Sequence, residues 1–181
     1  MLLILTLDTS TPHLVLGLRG DGLELARVLE VGRAHAERLP AELEGLYREA
    51  GLPLRAALVV VGTGPGSYTG LRVGASYALG LGRAWGVPVL GVSSLEGLPV
   101  TLQGEVAVSL DARKGMVYGA SYRVEGGVVR DTLLPPDKYP REVFAAMVSG
   151  RLWLEDRPPD PGGLSRNAEA HGQREWRLSY L

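Results

Sequence analysis

The 181-residue sequence predicts a two-lobed α/β protein built on an internal duplication. Three observations predict it. Three strand-like runs precede the first helix, a helix–strand alternation follows, and a second start then repeats the first. Leu5-Thr6-Leu7-Asp8, a polar turn and His13-Leu14-Val15-Leu16-Gly17 are echoed by Val108-Ser109-Leu110-Asp111, a polar turn and Met116-Val117-Tyr118-Gly119-Ala120. In each copy an aspartate closes one strand and opens a hairpin.

The apolar run from Leu2 ends at Asp8 and the turn Thr9-Ser10-Thr11-Pro12, so it reads as a buried strand rather than a leader peptide. His13 to Gly20 and Leu23 to Val31 read as strands around the hairpin signal Asp21-Gly22. Leu39, Leu43, Leu46, Tyr47 and Ala50 recur at helical spacing, which predicts an amphipathic helix over 34–50, with Pro40 in its first turn or at a kink. Ala57 to Val61 is a continuous apolar run, as expected of a strand covered on both faces. A glycine-rich loop, a helix over about 71–85, a strand over 88–92 and a short helix from Ser93 complete the order of a ribonuclease-H-like half-unit.

The second copy is shorter. Gly126-Gly127 punctuates it, 140–149 offers a helix, and Leu152-Trp153-Leu154 a short strand. Beyond Glu155 the pattern breaks down: Pro158-Pro159-Asp160-Pro161-Gly162-Gly163 reads as a flexible linker, and 164–172 shows no periodicity. Trp176 and Tyr180 are the side chains suited to dock the end of the chain. The expected organisation is a first lobe over 1–102, a shortened second lobe over 103–154 and a partly disordered tail over 155–181.

Composition excludes some chemistries. With no cysteine there is no disulfide framework, thiolate metal site or cysteine nucleophile, which fits a reducing cytoplasm. His13, His35 and His171 stand singly, so no metal site is expected. A net charge of −1 with scattered basic residues argues against autonomous nucleic-acid binding. No apolar run approaches the roughly 20 residues of a membrane span. One Asn, two Gln and two Lys suit either a heat-adapted protein or a GC-rich genome.

Two segments are candidates for chemistry. Gly62 to Gly70 lies between a buried strand and a helix, where backbone N–H groups and the helix dipole can hold an anion. The other reading is a tight turn that needs its glycines, with Ser67 or Thr69 capping the helix. The loop lacks the Gly-Lys-Ser/Thr ending of a Walker A motif. Asp8 with Thr9, Ser10 and Thr11 resembles the way actin-like sugar kinases approach nucleotide phosphates, or else simply stabilises its own turn. Asp8, Thr9, Ser10, Gly64, Gly66, Ser67 and Thr69 are therefore the candidate residues for a degenerate anion or nucleotide site, with the structural turn as the other reading. Gly74, Ala78 and Gly82, at steps of four, give one helix face almost without side chains. Glycine inside a helix costs about 1 kcal/mol, offset by close packing against the sheet or against a helix of another subunit.

Leu7-Asp8-Thr9-Ser10, His35-Ala36-Glu37-Arg38-Leu39, Gly64-Pro65-Gly66-Ser67-Tyr68-Thr69-Gly70-Leu71-Arg72-Val73-Gly74, Gly91-Val92-Ser93-Ser94-Leu95 and Asp111-Ala112-Arg113 occur in that order. Together they resemble the TsaB family, also called YeaZ. The resemblance implies an actin-like, Hsp70-like, sugar-kinase fold. It further implies a non-catalytic partner of a TsaD-type transferase and a TsaE-type ATPase, which together make N6-threonylcarbamoyladenosine (t6A) at position 37 of tRNA. The free protein would be a homodimer, tRNA would be reached only through the complex, and ATP or ADP would lie near the partner interface. Carried onto this chain, the dimer and partner surface falls on His35, Leu39, Leu43, Leu46, Gly74, Ala78 and Gly82. The metal-binding histidine pair of TsaD has no counterpart, since no second histidine follows His35. The second lobe is shorter than in the family pattern. The alternative is a nucleotide-hydrolysing or small-molecule kinase-like enzyme of the same fold, using Asp8 and the glycine loop. A direct tRNA-binding module is disfavoured by the charge.

Overall fold

The computed structural model describes residues 2–181. The first lobe is a five-stranded sheet of order β3-β2-β1-β4-β5, from β1 (Ile4–Asp8), β2 (His13–Gly20), β3 (Leu23–Glu30), β4 (Leu58–Gly62) and β5 (Val89–Val92). The first three strands form an antiparallel meander, whereas β4 and β5 add in parallel after the helices α1 (His35–Ala50) and α2 (Tyr68–Trp85). Because side chains alternate across a strand, Leu5, Leu7, Val59 and Val61 point to one face and meet Leu39, Leu43, Leu46 and Tyr47 of α1 and Ala78 of α2. Ile4, Val60 and Val92 belong to a separate cluster with Leu164 and Ala168.

The second lobe repeats the plan and stops early. Its sheet has the order β8-β7-β6-β9, from β6 (Gln103–Asp111), β7 (Met116–Glu125), β8 (Val128–Pro140) and β9 (Leu152–Glu155), with α3 (Arg141–Met147) leading into β9. β6 pairs antiparallel with β7 and parallel with β9, as β1 does with β2 and β4. Among the described residues, no counterparts of α2 and β5 follow. Phe144 of α3 packs on Ala107 and Val117 and sits where a Cβ on Gly119 would fall, so that glycine admits the ring to the sheet. The opposite face packs on Leu95 and Leu98, in and after the 3₁₀ turn Ser94–Glu96 that leads out of the first lobe.

One element was missed and one expectation is corrected. The long strand β8 was hidden by Pro135 and Pro136, which an edge strand tolerates because its outer N–H groups need no ladder partner. The residues expected to be a disordered tail contain α4 (Pro161–His171), whose N-cap Asp160 accepts from the Gly163 N–H at 3.1 Å. α4 covers the face of the first sheet that α1 and α2 leave bare. Asp160 at the cap and Pro161 at the first helical position were its legible signals; the helix hid because its buried face uses Gly163, Ser165, Asn167 and Ala168 beside the single leucine, Leu164. Past α4, Gln173 bridges to Gly91, Trp176 lies on Gly91, and Ser179 N–H donates to Thr63 O, so Trp176 and Tyr180 do dock this end of the chain.

Candidate functional site

The C-terminal ends of β1 and β4 and the start of α2 meet at the glycine loop. Asp8 is fully buried, and its carboxylate accepts from Ser10 N–H at 2.8 Å, Ser10 Oγ at 2.6 Å and Ser94 Oγ at 2.6 Å. Gly64 N–H donates to the same Ser94 hydroxyl at 2.9 Å. Ser67 N–H donates to Ser10 O, and Gly70 N–H to the Ser67 hydroxyl, which caps α2. Thr9 Oγ1 donates to Gly70 O and accepts from Gly74 N–H.

Three of the loop's donors are therefore spent inside the chain. The N–H groups of Gly64, Ser67 and Gly70, which would line a phosphate cradle, are each bonded to a serine. A Cβ at Gly66 would fall on the Ser10 carbonyl, so this glycine is required by the close approach of two backbones. Asp8, Thr9 and Gly64 are buried beneath the loop, while Ser10, Gly66, Ser67 and Thr69 border open space. The seven residues of the expected anion site are thus brought together, but on two levels.

The open space is a cleft of about 790 Å³ between the lobes. The first lobe contributes Thr11, Arg33, Tyr68 and Thr69, the second Asp111, Arg113 and Tyr118, and Tyr180 and Leu181 close one end. Tyr180 stacks at a tilt on Tyr68, ring centroids 4.9 Å apart. Asp111 is exposed where Asp8 is buried, and its carboxylate accepts from Arg113 N–H at 2.9 Å. Arg113 and Lys114 both hold positive φ, 64° and 53°, an uncommon backbone for non-glycine residues. Sequence reasoning missed Arg33, Tyr118 and the ring contact, because a cleft between lobes leaves no local periodicity. Among the described residues, no group of three or more His, Asp or Glu side chains is placed to hold a metal.

The expected interface residues are corrected. Leu39, Leu43 and Leu46 are fully buried against the chain's own sheet. His35 is buried too, with Nε2 2.8 Å from Thr11 O and 3.2 Å from His13 O, so its N–H fastens α1 to the first hairpin. Cβ atoms added at Gly74 and Gly82 would strike Thr9 and Val89, and Ala78 is fully buried. The small-residue face packs on the sheet, which was one of its two readings. The exposed face of α2 instead carries Tyr68, Arg72, Ser76 and Leu79. Arg72 stacks over Tyr68 and donates to its hydroxyl, and a groove of about 570 Å³ runs from there to Ala36 and Tyr77.

Paired sheets, each led by an antiparallel meander, with a cleft between them and an aspartate at the end of each first strand, define a protein of the actin-like, sugar-kinase class. The TsaD family model, described as tRNA N6-adenosine threonylcarbamoyltransferase, matches residues 29–140. The chain is 31% identical over 160 residues to the tRNA threonylcarbamoyladenosine biosynthesis protein TsaB of Bacillus subtilis, covering 86% of this chain and 68% of that protein. Its similarity to the solved structure of YeaZ from Pseudomonas aeruginosa reaches a TM-score of 0.84 at 27% identity, over 100% of both chains. An uncharacterized protein of Mycobacterium tuberculosis is 42% identical over 123 residues, 66% of this chain; the match spans only 58% of that relative. The chain belongs to the TsaB (YeaZ) family.

Proposed function

We propose that this chain is a non-catalytic subunit required by a TsaD-type transferase for t6A formation at position 37 of tRNA. The observation that carries the proposal is the internal bonding at the base of the glycine loop: the Gly64, Ser67 and Gly70 N–H groups and the Asp8 carboxylate are already engaged by Ser10, Ser67 and Ser94, so a phosphate or metal reaching Asp8 would have to displace buried hydrogen bonds. The names carried by its relatives support the pathway. The exposed Tyr68–Arg72–Ser76–Leu79 face of α2 supports a docking role, since aromatic and arginine side chains dominate binding hot spots. That face would hold a second copy of the chain when it is alone and the TsaD-type protein in the complex. A TsaE-type ATPase would join them, tRNA would be met only through the assembly, and ATP or ADP would lie in the cleft near the interface. Such an assembly works in the cytoplasm. Among the described residues, no helix is long and apolar enough to cross a membrane.

The test is threonylcarbamoyl transfer to tRNA by the cognate TsaD-type protein and TsaE-type ATPase, with the adenylate supplied, with and without this chain. Dependence on the chain, with no ATP hydrolysis or tRNA modification by the chain alone, is the expected result. Unchanged modification together with ATP turnover by the isolated chain would replace the subunit reading with the kinase-like one.

A further inference from the structure

Two-lobed proteins with a central cleft commonly close around ligands by hinge motion, the hinge being a few residues where the chain crosses between lobes. Here the chain crosses twice, after the 3₁₀ turn and again between β9 and α4. The two crossings are bonded to each other, Asp160 N–H donating to Gly97 O at 3.0 Å. A Cβ on Gly97 would strike Pro159, so the segments touch.

α4 then ties both lobes to itself. On the first-lobe side, Leu164 and Ala168 pack on Ile4, Val60 and Val92, Arg166 grips Glu24 of β3 with two bonds of 2.8 and 2.9 Å, and Arg19 Nε of β2 donates to Ser165 Oγ at 2.8 Å. On the other side, Asn167 is wholly buried and has both ends of its amide filled. Its Nδ2 donates to Glu96 O at 2.9 Å and to Gly127 O and Gly163 O, each at 3.0 Å. Its Oδ1 accepts from Val129 N–H at 2.8 Å. Gly127 and Val129 belong to the β7–β8 hairpin of the second lobe, whose Gly127 N–H also donates to Leu102 O.

We propose that α4 is a strut that locks the two lobes at one angle, with Asn167 as its pin, so that the cleft keeps a fixed width and does not close on a ligand. Rotating the second lobe would pull Gly127 and Val129 off the Asn167 amide in a place water does not reach, which leaves buried donors and acceptors unmatched. The strut stands on the geometry of the fold and holds whether or not the partner reading does.

The experiment is a spin-label distance measurement across the cleft. The chain has no native cysteine, so Glu37→Cys on α1 and Glu142→Cys on α3, both exposed, accept labels cleanly. The full chain is expected to give one narrow distance that Mg-ATP and inorganic phosphate leave unchanged. Asn167→Ala, and Asn167→Asp, which keeps the acceptor to Val129 but loses the donors, are expected to broaden it by about twofold or add a second distance. A broad or ligand-shifted distance in the parent, or variants as narrow as the parent, would overturn the lock. Should neither variant fold, the parent's distance with and without Mg-ATP decides alone: narrow and unmoved upholds the lock, and anything else ends it.

Discussion

Ser94 donates its hydroxyl to the buried Asp8 carboxylate at 2.6 Å, joining residues 86 positions apart at the base of the glycine loop. The same hydroxyl accepts from Gly64 N–H, so one serine holds both the aspartate and the loop. Asp8→Ala would strand three buried donors, and Ser94→Ala would strand one amide and an oxygen of the carboxylate. Leaving a buried partner unmatched costs about 1–3 kcal/mol, more for charged groups. Urea unfolding is expected to show Ser94→Ala losing an amount in that range and Asp8→Ala losing at least as much. An Asp8→Ala protein as stable as the parent would return Asp8 to the list of candidate catalytic groups.

Two glycines of α2 separate packing from propensity. Gly80 has nothing near the position of a Cβ, so Gly80→Ala is expected to stabilise by about 0.5–1 kcal/mol. At Gly74 the Cβ would fall on Thr9 Oγ1, which is itself held between Gly70 O and Gly74 N–H. Gly74→Ala is therefore expected to destabilise by about 1–3 kcal/mol. Thermal unfolding of the two variants should move in opposite directions; movement in the same direction would contradict the packing of α2 on Thr9.

His171 and Glu96 make stability depend on pH. The hydrogen bond that His171 Nε2–H donates to Glu96 Oε1, 2.6 Å away, raises the His171 pKa above its ordinary value, with partial burial opposing. A raised folded-state pKa contributes stability that is complete below about 6.5 and is lost as pH rises through the folded value. The difference in Tm between the parent and His171→Gln should be larger at about pH 5.5 than at about pH 8.5. A difference that grows with pH would mean the pair is not held as an ion pair.

Leu43 and Tyr68 test which face of the helices is for sale to a partner. Leu43→Ala removes a buried side chain and is expected to cost about 2–5 kcal/mol. Tyr68, 58% exposed, should be removable with little change in unfolding temperature. Binding measured by calorimetry to the TsaD-type protein should weaken for folded Tyr68→Ala by tenfold or more, on the order of the 1.4 kcal/mol or more typical of a hot-spot aromatic. Full affinity in Tyr68→Ala would move the docking surface elsewhere.

The first lobe was legible because its signals are local. Leucines at 39, 43 and 46 mark a helix, and the run to Val61 marks a central strand. The same leucines were misplaced at an interface, since periodicity says that a face is apolar and not what covers it. α4 escaped for the converse reason: its burial depends on Ile4 and Val60, far away in sequence, and on Asn167, whose polar side chain is buried only because four partners arrive together. Asp8 and the glycine loop were singled out from the sequence, and the structure brings them together. That they are occupied by Ser10, Ser67 and Ser94 is a property of three dimensions.

The placement of α4 also sets an order of events during synthesis. A nascent chain that has just finished β5 holds all five strands of its first sheet and both helices of one face. The opposite face, with Ile4, Val60 and Val92, stays bare until Leu164 and Ala168 have left the ribosome. Such long-range closure is slow, and an uncovered apolar sheet is prone to aggregate in the interval. The last helix of the fold is thus a cover that the first hundred residues must wait for, and the interval before it arrives is when the bare face of the sheet is most open to aggregation.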